Sequence, residues 1–265
     1  MFYSSTITLI AQNDTVISNF IGKKIHGWFF KLLKEADEQL STVLHSNISN
    51  KSFTVSSFIG QNVSKPLTVE KGKPYHIRVT FLEDRLFEIF SSRFFETKLL
   101  NEGVSIEQAE FVVDSFSIGN LNRWSGYISE EELFEYDNTD KQVTMKFYTP
   151  TLFKIGDIHL REPDPSKVFT SLLLKFNTYS KIKLDDGLKD RFDQIKVVYN
   201  DTVQKRVYLP GYYMQGFVGT VTFEAPEDEK ITEAMNILSR FAFYSGVGYK
   251  TTMGLGQASR IEEKE

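Results

Sequence analysis

The stretch Gly246-Val-Gly-Tyr-Lys-Thr-Thr-Met-Gly-Leu-Gly256, near the end of the chain, decides how the residues around it fold. Apolar residues at helical spacing precede it over 231–242, and a strand-like run follows it over 255–261. A nucleotide P-loop has the opposite order, since its glycines follow a strand and open a helix. Because no helix N-terminus faces a phosphate in this order, we expect neither NTP hydrolysis nor a dinucleotide site.

Two pairs of glycines, Gly246 with Gly248 and Gly254 with Gly256, flank five residues in the middle of this stretch. We call the whole stretch from Gly246 to Gly256 the glycine-rich loop. Glycine accepts a positive φ and lets backbone N–H groups approach phosphate oxygens without interference from a Cβ atom. The other interpretation is a helix C-cap at Gly246 followed by a tight hairpin. The glycine count does not separate the two, and the symmetry of the pattern favours a site for a polyanion.

Outward from the loop, the second half of the chain repeats the element order of the first half. The predicted strands alternate apolar and polar residues, and the predicted helices show apolar spacings of three and four. We predict strands over 2–10, 53–58, 75–81 and 111–118 with helices over 28–43 and 86–94, then strands over 143–147, 205–209, 217–223 and 255–261 with helices over 165–176 and 231–242. Asp164 and Pro165 open a helix as N-cap and first residue, and Pro150 ends a strand.

The composition agrees with two globular domains. The chain has 265 residues, of which 41% are hydrophobic and 25% charged, so it contains enough apolar residues for two cores. We predict an α+β fold of two tandem ferredoxin-like βαββαβ domains over 1–120 and 121–265, of which the second carries the glycine-rich loop.

Several function classes are disfavoured by what the sequence lacks. It contains no cysteine, which excludes thiol catalysis, disulfides and cysteine-ligated metals and fits a cytoplasmic location. There is no apolar run of about 18 residues and no basic leader, so we expect a protein that neither spans a membrane nor is secreted. The net charge of −4 argues mildly against a general nucleic-acid binder, so any RNA site has to be local.

The glycine-rich loop, GVGYKTTMGLGQ, resembles the C-terminal G-h-G-x5-G-h-G loop of the CRISPR-associated endoribonucleases of the Cas-six type, which cut precursor CRISPR RNA. Further blocks similar to this family occur in its order along nearly the whole chain. They are FTVSSF after Leu44 and His45, KPYHIRVTFL, RWSGYISEEEL, FYTPTLF at 147–153, and GFVGTV before the last predicted helix. The family's two ferredoxin-like domains agree with the fold predicted from periodicity.

This resemblance implies metal-independent cleavage of CRISPR repeat RNA with no cofactor. The ribose 2′-hydroxyl attacks the adjacent phosphorus, which leaves a 2′,3′-cyclic phosphate and a 5′-hydroxyl. The family's catalytic histidine falls on His45, and a lysine with which some members stabilise the transition state falls on Lys51. A tyrosine that some members carry in the first helix is replaced by Phe30, which exchanges no proton, so His26 becomes the nearest candidate for the base.

Each of these residues also has an ordinary structural interpretation. Imidazole titrates near about 6.5, as proton transfer at neutral pH requires, yet His45 could be a solvated residue at a helix end. Lys51 could be a loop lysine, and His26 a core-edge or capping residue. In one continuous helix His26 and His45 would lie about 28 Å apart, so a pair requires a break near Ala36 and Asp37.

Phosphate contacts are expected from lysines and from the backbone of the loop. We assign RNA binding to Lys23, Lys24, Gly246, Gly248, Lys250, Thr251, Gly254 and Gly256. His76 and Arg78 fall on the polar face of a strand and His159 in a predicted loop, where each is either an ordinary surface residue or a further RNA contact. No carboxylates pair with histidine at metal-ligand spacing, which disfavours a metal nuclease.

The sequence therefore predicts an RNA endonuclease that retains its product. CRISPR repeat RNA is the expected partner, no membrane contact is expected, and a homodimer and other subunits of a CRISPR interference complex stay open. One rival function is a catalytically inactive RNA-binding subunit of such a complex, which Phe30 suggests. The other is a tandem ferredoxin-like scaffold that does not bind RNA.

Overall fold

The computed structural model describes residues 1–45, 51–62, 64–119, 121–209 and 211–262, and the contacts divide the chain into two compact units. The first unit comprises Met1–Tyr127, Val207–Tyr212 and Thr252–Gly254, and the second comprises Ile128–Arg206, Tyr213–Thr251 and Leu255–Glu265. Two short segments from late in the chain thus belong to the first unit. The contiguous boundary at residue 120 stays a prediction.

The first unit is a sheet with helices packed against it. Its elements in chain order are β1 (Phe2–Ala11), β2 (Thr15–Ile17), α1 (Ile21–Ala36), α2 (Glu38–His45), β3 (Phe53–Val55), β4 (Leu67–Val69), β5 (Pro74–Phe81), α3 (Asp84–Leu99), β6 (Val104–Ile106), β7 (Ala109–Ile118) and β8 (Gly126–Ile128), the last at the passage to the second unit. The main sheet has the order β3-β5-β1-β7-β6, and β2 pairs with β4. The path β3-β5-β1-β7 is the ferredoxin-like order predicted for a βαββαβ unit.

Phenylalanine rings form the centre of the first core. Phe29 of α1 stacks on Phe53 of β3 with centroids 4.6 Å apart and on Phe90 of α3 at 5.1 Å. All three side chains are fully buried, as are the inward residues of β5. Each such burial contributes about 1.5–3 kcal/mol, so this cluster fixes α1 and α3 on the sheet.

The second unit repeats the same frame. Its elements are α4 (Glu130–Glu135), β9 (Gln142–Thr151), β10 (Phe153–Ile155), β11 (Ile158–Leu160), α5 (Pro165–Tyr179), β12 (Lys196–Leu209), β13 (Tyr212–Glu224), α6 (Glu229–Ser245) and β14 (Ala258–Arg260), with 3₁₀ turns at Asp186–Asp190, Phe192–Gln194 and Thr251–Met253. The end of β12, the first residue of β13 and the last two residues of the third turn are the parts of these elements that belong to the first unit. The sheet order β12-β13-β9-β14 is again ferredoxin-like. The predicted fold class is confirmed.

Two predictions rest on prolines, one for the start of a helix and one for the end of a strand. The prediction for α5 is confirmed, because Pro165 is its first residue and the Asp164 carboxylate accepts a hydrogen bond from the Lys167 N–H at 3.1 Å. The prediction that Pro150 ends its strand is wrong, since β9 continues to Thr151. Proline lacks an N–H, but its carbonyl accepts a hydrogen bond from the Gly256 N–H at 3.1 Å, so the strand pairs through that group.

The hairpin of β12 and β13 is longer than predicted. Both strands extend well beyond 205–209 and 217–223, and residues predicted to connect them lie within β13. Most residues of β12 are exposed on both faces of this edge strand. Its sequence therefore lacks the apolar alternation by which a half-buried strand is recognised.

Candidate active site

A break in the opening helical region of the first unit changes which side chains meet. α1 ends at Ala36, and Asp37 is extended with φ −153° and ψ 100°. The Asp37 N–H donates to the Leu33 carbonyl at 2.8 Å, and its carboxylate accepts from the Leu40 N–H at 2.8 Å in the first turn of α2. The single helix predicted over 28–43 is therefore wrong, and the break that a histidine pair requires is present.

Phe30 connects the two predicted catalytic histidines. Its ring centroid lies 4.8 Å from that of His26 and 5.2 Å from that of His45, and both contacts are edge-on. The two imidazoles therefore lie within about 10 Å of each other, whereas an unbroken helix would separate the residues by about 28 Å. His45 is exposed, and His26 and Phe30 are half-buried. The fold brings a pair of imidazoles together at the break between α1 and α2.

A hydrogen bond fixes the tautomer of His26. Its Nδ1 lies 2.8 Å from the carbonyl oxygen of Thr252, a residue of the glycine-rich loop that belongs to the first unit. A carbonyl oxygen only accepts, so Nδ1 carries the proton. In the neutral ring, Nε2 is then the nitrogen with the lone pair. Nε2 is the nitrogen that can take up a proton, as a general base requires, and the bond to Thr252 equally fits a capping residue, so the role of His26 stays a prediction.

Lys51 lies at the end of α2. Its Nζ donates a hydrogen bond to the carbonyl of Leu44, the residue before His45. A cation here satisfies a terminal carbonyl and interacts favourably with the helix dipole. Burial lowers the pKa of the Lys51 ammonium from its ordinary value. The lysine that the resemblance assigned to the transition state is thus held at the last turn of α2.

The part of the glycine-rich loop that belongs to the first unit packs closely on α1 and on the residues after β3. A Cβ atom on Gly22 would lie 2.0 Å from the carbonyl oxygen of Met253, and one on Gly254 would lie 2.7 Å from the backbone nitrogen of Ser57. Both glycines are therefore required by close backbone contact. No role was predicted for Gly22, although a glycine inside a helix is itself a signal of close packing.

The other glycines of the loop belong to the second unit and have left-handed backbones. The φ angles are 61° at Gly246, 78° at Gly248 and 65° at Gly256. A Cβ atom on Gly256 would lie 2.0 Å from the carbonyl oxygen of Val247. The Gly246 N–H donates to the Ala242 carbonyl at 2.9 Å, so the C-cap interpretation is correct at that residue. Phosphate binding by the loop stays a prediction.

Lys250 and Thr251 of the same loop differ in what their side chains contact. Lys250 is half-buried, with its ammonium 5.0 Å from the ring centroid of Tyr249. Thr251 is buried, and its hydroxyl oxygen accepts a hydrogen bond from Lys175 Nζ at 3.0 Å. The hydroxyl of Thr251 thus supports the loop from within the unit, and Lys250 is the basic side chain that solvent reaches.

Lys23 and Lys24 lie in the first turn of α1 instead of before it. Lys23 is exposed, whereas Lys24 forms an ion pair with Glu107 at 2.6 Å and also donates to the hydroxyl of Ser18. Burial would raise the pKa of Glu107, but hydrogen bonds from Lys24 and Ser18 hold it below its ordinary value. The charge of Lys24 is thus balanced within the first unit, which leaves Lys23 as the stronger candidate for a phosphate contact.

The remaining basic residues singled out from the sequence lie outside this histidine pair. The surface prediction for Arg78 is wrong, because its side chain is buried and its Nε donates to the Ser4 hydroxyl at 2.8 Å and to the Trp124 carbonyl at 3.1 Å. His76 is exposed on the same strand, where its Nδ1 lies 3.1 Å from the Thr8 hydroxyl. His159 lies in β11 and not in a loop, with its ring 6.0 Å from Tyr249.

Within the described ranges, no group of three or more His, Cys, Asp or Glu side chains is arranged to hold a metal ion. None of the helices in those ranges has the length and apolar character that crossing a membrane requires.

Solved structures share the fold of this chain. The Cas6 (TTHB231) product complex matches with a TM-score of 0.85 at 26% identity, covering 98% of this chain and 99% of that chain. The Cas6 (TTHA0078) substrate mimic complex matches with a TM-score of 0.74 at 23% identity, covering 98% of this chain and 99% of that chain. The fold is that of the Cas6 structures over almost its whole length.

Sequence comparison identifies the family. The CRISPR Cas6 N-terminal domain matches residues 1–135, and the CRISPR-associated endoribonuclease Cas6 domain matches residues 145–258. The chain belongs to the Cas6 family of CRISPR-associated endoribonucleases.

Two curated relatives carry the same family name. A CRISPR-associated endoribonuclease Cas6 of Streptococcus thermophilus is 23% identical over 51% of this chain, and one of Mycobacterium tuberculosis is 30% identical over 46% of it. The matched stretches span 56% and 39% of those two relatives.

Proposed function

We propose that this protein cleaves CRISPR repeat RNA in precursor transcripts by acid–base catalysis without a metal ion and retains the processed product. The observation that carries the proposal is the juxtaposition of His26 and His45 around Phe30 at the helix break. Support comes also from the family assignment and from similar Cas6 proteins whose structures are product and substrate-mimic complexes.

In the proposed reaction His26 is the base and His45 the acid. The neutral Nε2 of His26 takes the proton from a ribose 2′-hydroxyl as the 2′-oxygen bonds to the adjacent phosphorus. The bond from phosphorus to the 5′-oxygen breaks, and the His45 imidazolium gives its proton to that oxygen. The products are a 2′,3′-cyclic phosphate and a 5′-hydroxyl. The proposed acid and base are both imidazoles, a group that exchanges protons near neutral pH.

Phosphate binding is assigned to the basic groups and to the glycine-rich loop. Lys51, held at the end of α2, stabilises the extra charge of the phosphorane in the proposal. Lys23 and Lys250 are reached by solvent and contact the RNA backbone in the proposal. Because alignment of the 2′-oxygen with the leaving oxygen supplies much of the rate in such reactions, positioning groups matter as much as the histidines.

Phe30 favours a second candidate function, that of an RNA-binding subunit without catalytic activity. Its side chain contacts both imidazoles, and it exchanges no proton. A protein that binds repeat RNA tightly and never cuts it would fit this role.

Incubation of the purified protein with repeat RNA in EDTA separates the two functions. We expect cleavage at one site in the repeat. The upstream fragment should carry the cyclic phosphate at its 3′ end, which resists phosphatase until acid opens the ring. Binding without cleavage would establish the inactive subunit. Cleavage that needs added Mg²⁺, or that leaves a 5′-phosphate, would contradict the proposed chemistry.

A further inference from the structure

Lys175 is a buried lysine that the proposed reaction does not use. It lies on α5 of the second unit, and only 5% of its surface is exposed. Its Nζ donates to the carbonyl of Ser245 at 2.7 Å and to the hydroxyl of Thr251 at 3.0 Å. No carboxylate in the described part of the chain lies within ion-pair distance of it. An amino group buried without a counter-ion is costly, so its retention needs a reason.

The two acceptors of Lys175 lie on either side of residues 246–250 in the sequence, which we call the first arm of the glycine-rich loop. Ser245 is the last residue of α6, and Thr251 opens the 3₁₀ turn Thr251–Met253. Between them the backbone takes a positive φ at Gly246, Gly248 and Lys250. A segment with three left-handed residues is held only when its ends are fixed, and one amino group fixes both ends here.

We propose that Lys175 is a positioning residue for RNA binding, because its buried amino group ties the end of α6 to Thr251 and holds the arm between them in the conformation that presents it to an RNA phosphate. This inference rests on the proposed function, since it names how the loop of that function is built. Lys175 does not touch the reacting atoms. It acts through the loop.

The charge of Lys175 adds a second consequence. Burial alone lowers the pKa of its ammonium to about 7, and on both elements that contact Nζ, α6 and the 3₁₀ turn, the groups facing it are neutral, a carbonyl and a hydroxyl. The neutral amine has two N–H groups for these two acceptors, whereas the ammonium has a third N–H and a charge with no partner. A phosphate on the loop would stabilise the ammonium, so RNA binding takes up a proton at Lys175.

The test measures the affinity for a repeat RNA that carries a 2′-deoxynucleotide at the cut, at pH 6 and at pH 8.5. Between these values we expect the wild type to lose about tenfold more affinity than Lys175→Met, which corresponds to one unit of pKa coupling. Titration of the histidines is common to both proteins and cancels in the comparison. Thr251→Val keeps the Lys175 amino group and removes one of its two hydrogen bonds. This variant should bind the RNA more weakly at both pH values and keep the wild-type pH dependence.

The outcomes distinguish this inference from the proposed function. If the wild type binds no repeat RNA at either pH, the proposed function fails. If the wild type binds and Lys175→Met shows the same pH dependence and affinity, the role of Lys175 is overturned. Should Lys175→Met not fold, as judged by circular dichroism, Thr251→Val decides, and unchanged affinity in that variant refutes positioning through the tie.

Discussion

The two units use one frame in different ways. In the first unit, the opening helical region breaks at Asp37, and both His26 and His45 contact the ring of Phe30. In the second unit, α5 runs unbroken from Pro165 to Tyr179 and carries a buried lysine on its inner face. The strand order is the same in both. The proposed site therefore depends on departures from the strand order that the two units share, and not on that order itself.

The comparison also separates two kinds of requirement. In the proposed function the histidine pair acts by proton exchange, so a change of one side chain should remove activity and leave folding intact. The glycine-rich loop depends on backbone geometry, so a single added methyl group should disturb it. Substitutions in each unit test this division.

His45→Ala should lower the single-turnover cleavage rate about 10²- to 10⁴-fold, because the leaving oxygen loses its proton donor. RNA affinity should change less than threefold, by the standards of one exposed side chain. The measurement is single-turnover cleavage beside equilibrium binding. His76→Ala is the matched control, since His76 is an exposed histidine of the same unit that lies outside the pair. Cleavage by His45→Ala at the wild-type rate would show that the His45 imidazole does not act in catalysis.

Gly256→Ala should destabilise the protein by about 3 kcal/mol or more and weaken RNA binding, because the added Cβ would lie 2.0 Å from the Val247 carbonyl oxygen. Gly156→Ala is the matched control. Its φ of 57° is close to the 65° of Gly256, but its Cβ would meet open space. That variant should cost about 1 kcal/mol and bind RNA normally. Equal effects in denaturant titrations of the two variants would show that the close contact is unimportant.

Lys175 should make stability rise with pH. Its pKa is about 7 in the folded protein and ordinary, near about 10.4, in the unfolded chain. Between these values the unfolded chain binds a proton that the folded protein does not, so the free energy of unfolding increases with pH, by about 2 kcal/mol from pH 7 to 8.5. Urea titrations of the wild type and Lys175→Met should show this slope in the wild type only. Parallel slopes would mean that the lysine does not titrate in this range.

Lys250→Ala should have the smallest effect. Loss of one phosphate contact lowers the slope of log affinity against log salt concentration by about one. Lys189→Ala, at an exposed lysine of a 3₁₀ turn in the same unit, should leave the slope unchanged. The measurement is RNA binding between low and moderate salt. An unchanged slope for Lys250→Ala would remove this side chain from the RNA interface.

Periodicity predicted the frame because the buried faces repeat. The alternation in β5 and the apolar spacing of α6 both reflect one buried side, and each element was placed within a few residues. The edge strand β12 has no buried side, so its true length left no pattern to detect. The prediction that Pro150 ends β9 was wrong because it considered only the missing N–H of proline and not the carbonyl, which pairs.

The candidate site was predicted only in part, for a physical reason. His45 and the glycines carry local or family signals, and the need for a break near Asp37 followed from helix geometry. Lys175 carried no signal, because a lysine on an amphipathic helix is ordinarily solvated and its burial depends on residues 70 and more positions away. The Lys24–Glu107 ion pair and the burial of Arg78 are likewise long-range contacts that no local pattern encodes.

The central claim is that a ribose 2′-hydroxyl is the nucleophile and that the chain's own histidines move the protons. Its most direct test compares two repeat RNAs in EDTA, one with an ordinary ribose and one with a 2′-deoxyribose at the cut, at equal bound fractions. We expect cleavage of the RNA with the ordinary ribose and no cleavage of the 2′-deoxy RNA. Cleavage of the 2′-deoxy RNA at the same position would contradict it.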